Sequence, residues 1–82
     1  MASEQEVMER ARQIIAEQVT EGSPEKIRPD TVLDEEGGVD SLGFIYVLTT
    51  LEGEFGATVP DDKWREIHTL SDLARAIVRY GK

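Results

Sequence analysis

Eighty-two residues, 39% of them hydrophobic and 32% charged, predict one soluble globular domain with a single modest core and little room for a deep, walled active site. No cysteine is present, which excludes disulfide scaffolds and thiolate metal sites, and the opening MASEQEVMERARQ has no apolar run to act as a signal or membrane span, so a cytoplasmic protein is expected. Nine basic residues face 17 acidic ones, and the nine acids between Asp30 and Asp62 have no Lys or Arg among them. Such a field repels nucleic acid and anionic membranes and attracts basic protein surfaces.

In chain order, Ser3 and Glu6 have the spacing of a capping box, and Val7, Ala11, Ile14, Ile15 and Val19 form the stripe of a first helix, with Gly22 as its stop. From Glu21 to Val39 there is no sustained period. This segment reads as a long loop, with a possible helical turn at Ser23–Pro24 and with Ile27, Val32 and Leu33 as anchors to the core. A second helix is predicted over 41–55, its inward stripe Phe44, Val47, Leu48, Leu51 and Phe55, with Gly56 as the terminating residue. A short third helix is expected over 61–66. The Thr69/Asp72 pair then opens a last helix with Leu70, Leu73, Ala74, Ile77 and Tyr80 inward. No strand-like alternation or internal repeat occurs. The fold class is therefore all-α: a small four-helix bundle, three main helices plus one short one, with a long first loop, spanning 1–82 as one domain.

The unusual feature is Asp40-Ser41, set where the second helix begins and just after Gly37-Gly38. A serine hydrolase would need Gly at position 39, where Val stands, and its base could only be the distant His68; a lone histidine near a helix start is read here as structural. DEEGGVD lacks the ligand alternation of a calcium loop, and no other metal-ligand set is present. Two readings of the pair remain. Asp40 and Ser41 can be simple caps, or Ser41 can be an exposed substrate for another enzyme, where an added phosphodiester would meet the positive end of the helix dipole. No catalytic residue and no metal ligand is expected within the chain.

At these residues the sequence resembles the acyl carrier proteins. GVDSL is similar to the family's Asp-Ser-Leu signature, LEGEFGATVPDD to its Leu-Glu-x-x-Phe-Gly-x-x-Ile-Pro segment with Val59 for Ile, and IHTLSDLARAIV to its closing Ile-x-Thr-x-x-Asp pattern. The likeness covers almost the whole chain. It implies that Ser41 takes a covalent 4′-phosphopantetheine arm from a phosphopantetheinyl transferase, with Asp40 near the metal-bound phosphates during transfer. It also implies that acyl or aminoacyl groups then ride as thioesters to acyltransferase, ligase or synthase partners with basic docking surfaces. The docking residues implied are Leu42, Ile45 and Thr49, with Glu52 and Glu54 supplying charge; Tyr46, an aromatic on the same helix, is expected to join Leu42 and Ile45 in the docking patch. A monomer is expected, with no nucleic-acid or membrane partner.

Gly43, Tyr46 and Gly53 stand where the acidic fatty-acid-synthesis pattern often carries acids. Gly43 is similar to the D-alanyl carriers at that position, and Gly37-Gly38 to the peptidyl carriers. These departures favour a freestanding carrier of a polyketide, nonribosomal-peptide or related specialised pathway. The alternatives are a carrier of fatty-acid synthesis and, in another class, a non-catalytic acidic adaptor that works only by docking and would have no use for an exposed serine.

Overall fold

Ser3 and Glu6 close the capping box reciprocally: the Glu6 N–H donates to Ser3 Oγ at 3.1 Å and the Ser3 N–H to Glu6 Oε1 at 3.4 Å. They open α1 (Glu4–Ile14), which continues as a wider π-helical turn over Ile15–Val19. The computed structural model describes residues 2–19, 27–34 and 38–81. The expected stop at Gly22 and the turn at Ser23–Pro24 lie outside these residues, as does Gly37.

Along α1, Val7, Ala11, Ile14 and Ile15 are buried, as their spacing predicts. They pack chiefly against α4 (Leu70–Tyr80), whose Leu70, Leu73, Ala74 and Ile77 are likewise buried. The second helix, α2 (Ser41–Phe55), adds Val47, Leu48 and Leu51 to the same core. Phe44, Phe55 and Tyr80, expected inside, are only half-buried and pack on its margin. Each lies near one end of its helix, where fewer neighbours remain to cover a ring. Gly56 ends α2 in the left-handed conformation, φ 66°, which a residue with a Cβ adopts only under strain.

The loop before α2 is sewn to α4 through its backbone. Thr31 O accepts from the Leu70 N–H and Pro29 O from the Ser71 N–H, so the first-turn donors of α4 that its capping box leaves free find acceptors here. Leu33 N–H donates to His68 O at 2.9 Å, and Val32 forms an isolated antiparallel bridge with Thr69, the sole strand-like pairing among the described residues. Ile27, Leu33 and Val39 sink into the core, and the Arg12 guanidinium holds the Ile27 carbonyl at 2.7 Å.

The third helix is shorter than expected: α3 covers Asp61–Trp64, and residues 65–67 tighten into turns that donate three residues back, Glu66 N–H to Lys63 O and Ile67 N–H to Trp64 O. Trp64 anchors it at the bundle edge, with Nε1–H on Val59 O at 3.0 Å and its ring edge-on to Phe44 at 6.3 Å between centroids. The outcome is the all-α bundle read from the sequence, with no helix long and apolar enough to cross a membrane among the described residues.

Candidate functional site

At the start of α2 the backbone needs acceptors for its first-turn N–H groups. Asp40 supplies one, its Oδ1 accepting from the Gly43 N–H at 2.7 Å, while the Asp40 carbonyl takes the first intrahelical bond from Phe44. Asp40 alone is thus the side-chain cap. Ser41, the first residue of α2, is exposed, and neither its hydroxyl nor the backbone N–H groups of Ser41 and Leu42 find a partner among the described residues. The simple-cap reading of the pair therefore holds for Asp40 and fails for Ser41.

A nucleophilic hydroxyl, two free amides and the positive end of a 15-residue helix meet at one exposed point. Ser41 also borders a groove of about 390 Å³ between α2 and α3. Leu33, Val39, Phe44, Ile45, Trp64 and Ile67 provide its apolar lining. This donor set fits a phosphodiester on Ser41 Oγ, with space beside it for an amphipathic arm.

Leu42, at 79% exposure, is the most open large apolar side chain among the described residues, and Ile45 and Tyr46 follow it on the outer surface of α2. Leu42 in particular has little intramolecular packing to explain its apolar character. Thr49 is also exposed, but its hydroxyl is committed to the helix, donating to Ile45 O at 2.7 Å. The expected rim acids are engaged more fully still. Glu52 Oε2 accepts from the Val59 N–H at 2.7 Å and so ties the α2–α3 connector to α2. Both oxygens of Glu54 take a bidentate Arg10 guanidinium at 2.7 and 2.8 Å. That hydrogen-bonded cation holds the Glu54 carboxyl below the usual carboxylate range. Glu54 thus shares its charge with Arg10, and Glu52 keeps its charge while one oxygen holds the connector.

Sequence reading missed Arg65 and treated His68 as structural only. The His68 backbone is structural: its carbonyl accepts from Leu33 and its N–H donates to Asp72 Oδ2 at 3.1 Å. Its ring and the Arg65 side chain nonetheless line the groove beside Ser41. Nothing in local periodicity signals this, because the tight turns after α3 set both positions. No group of three or more His, Cys, Asp or Glu residues able to hold a metal occurs among the described residues.

Residues 9–77 match the family model of the phosphopantetheine attachment site. Among curated relatives, the chain is similar to the acyl carrier protein of Thermosynechococcus vestitus, 31% identical over 87% of this chain and 86% of that protein. It is likewise similar to the acyl carrier protein of Phenylobacterium zucineum, 32% identical over 88% and 90% of the two chains, and to that of Campylobacter hominis, 29% identical over 94% and 96%. An exposed helix-start serine with an uncommitted hydroxyl agrees with that match, and the chain belongs to the phosphopantetheine-carrying acyl carrier protein family.

Proposed function

We propose that Ser41 is the residue that carries the 4′-phosphopantetheine arm, and that the protein shuttles acyl or aminoacyl groups between enzymes of a polyketide, nonribosomal-peptide or related specialised pathway. The observation that carries this reading is the division of roles at the start of α2: Asp40 caps the helix, which frees the neighbouring hydroxyl for chemistry. In the transfer, Ser41 Oγ attacks the diphosphate of coenzyme A bound to the transferase. An O–P bond forms at Ser41, the diphosphate P–O bond breaks, adenosine bisphosphate leaves, and the hydroxyl proton passes to a base on the transferase. The free amides of Ser41 and Leu42 face the phosphate oxygens as they arrive, and the helix dipole favours the negative charge. When attached, the arm supplies a terminal thiol that holds cargo as a thioester, which suits a chain with no cysteine of its own.

Partner choice is assigned to Leu42, Ile45 and Tyr46. Three exposed apolar side chains on one helix give a partner a desolvatable anchor, and an aromatic at the centre of such a patch is a favoured hot spot. The pathway reading rests on Tyr46, Gly43 and Gly53 replacing acids that basic fatty-acid enzymes would meet. The test is turnover of the loaded protein by fatty-acid-synthesis enzymes and by polyketide- or peptide-pathway enzymes, for wild type and Tyr46→Glu. Poor wild-type turnover by the fatty-acid set, improved by Tyr46→Glu, is expected. Efficient wild-type turnover by fatty-acid enzymes would instead assign the protein to that pathway.

A further inference from the structure

Of the residues lining the groove beside Ser41, the two with basic side chains, Arg65 and His68, come from the turns that follow α3. Arg10, Arg12, Lys63 and Arg75 each have a carboxylate partner. Arg65, like Arg28 and Arg79, has no carboxylate partner among the described residues, and of the three it alone lines this groove. The His68 ring is likewise unpartnered there, although its backbone is pinned on both sides by Leu33 and Asp72. The same groove is lined by Asp34 and Asp40, from the loop and the α2 cap.

We infer that Arg65 and His68 form an anion-binding rim for the arm, taking an anionic oxygen that is either the phosphodiester at its base or a carboxylate on its cargo. This rests on Ser41 carrying the arm. The charge layout supports it: an anion tethered at Ser41 is repelled by Asp34 and Asp40 and attracted to the guanidinium in the same groove. Arg offers a planar pair of N–H donors suited to phosphate or carboxylate oxygens, and an imidazole offers at least one further donor. Val39, Phe44 and Ile67 supply an apolar wall of the same groove, against which the uncharged part of the arm can lie. Trp64, the residue before Arg65, is fixed by its bond to Val59, so the start of the rim is held in place before the arm arrives.

The experiment follows the Arg65 Nε–H and His68 ring nitrogen resonances, with the phosphorus resonance of the arm, in apo, holo, acetyl-holo and malonyl-holo protein, and intact and peptide mass locate the arm in each sample. If the phosphodiester is the ligand, both side chains shift from apo to holo, and Arg65→Gln moves the phosphorus resonance towards that of free phosphopantetheine. Shifts that arise only on going from the acetyl to the malonyl form, and are lost in Arg65→Gln but largely kept in Arg65→Lys, identify the carboxylate. An arm on Ser41 with both side chains unmoved in all states would overturn the rim alone. An equal loss in Lys63→Gln, outside the groove, would also overturn it. An arm found on another residue would overturn the Ser41 reading and the rim with it.

Discussion

At the start of α2 the Asp40 carboxylate accepts from the Gly43 N–H at 2.7 Å while the Ser41 hydroxyl has no partner among the described residues, so the two side chains have separable effects on stability. Asp40→Ala removes a helix cap and is expected to destabilise the protein by about 0.5–2 kcal/mol, with Ser41→Ala close to neutral. Urea denaturation of both variants checks this, and equal losses would mean that Ser41 caps as well. At the start of α4, Asp72 is held by the second capping box. Burial acts to raise its carboxyl pKa, but the Thr69 and His68 N–H groups, the Thr69 hydroxyl and the Arg75 charge outweigh it and hold the group below its ordinary value of 3.8. A depressed folded-state pKa contributes stability that is present above the unfolded-state value and is lost as pH falls through the folded-state one. Asp72→Asn should therefore lower stability near neutral pH and flatten its decline below about pH 4. An unchanged acid slope in denaturation titrations would contradict the assignment.

Helices were legible in the sequence where periodicity and punctuation agree. The limits of α2 follow from Asp40 at one end and Gly56 at the other, and the capping boxes at Ser3 and Thr69 lie where their spacing placed them. Short α3 was overextended because Arg65 and Glu66 are compatible with a helix, whereas tight backbone turns take over after Trp64. The tie between the loop and α4 could not be read at all, since it is made by carbonyls of Pro29 and Thr31 that any side chains could bear. For the candidate site, Ser41, Asp40 and the exposed apolar trio were legible from their positions on one helix. The commitment of Glu52 and Glu54 was not, because their partners, Val59 and Arg10, come from other elements. Within α2, Leu51 is fully buried and Leu51→Ala should cost about 2–5 kcal/mol. Gly53 has open space around the position a Cβ would occupy and is exposed, so Gly53→Ala should stabilise by about 0.5–1 kcal/mol. A destabilised Gly53→Ala in thermal melts would show that the helix needs the gap there.

For the molecule as a whole, a net charge of −8, with nine acids and no Lys or Arg between Asp30 and Asp62, sets up a field that speeds encounter with basic enzymes without choosing among them. Close contact on α2 has to discriminate. Association with the dedicated partner should therefore slow as salt rises, while Tyr46→Glu should chiefly shorten the life of the complex; stopped-flow association and dissociation rates separate the two, and a mutant that alters only association would contradict this division. Every such step presupposes an arm on one serine, and that is most directly tested by incubating the apo-protein and Ser41→Ala with a phosphopantetheinyl transferase and coenzyme A, followed by intact and peptide mass spectrometry. One phosphopantetheinyl group on the wild-type peptide containing Ser41, and none on a folded Ser41→Ala, is the predicted result; the same mass gain on Ser41→Ala would contradict it.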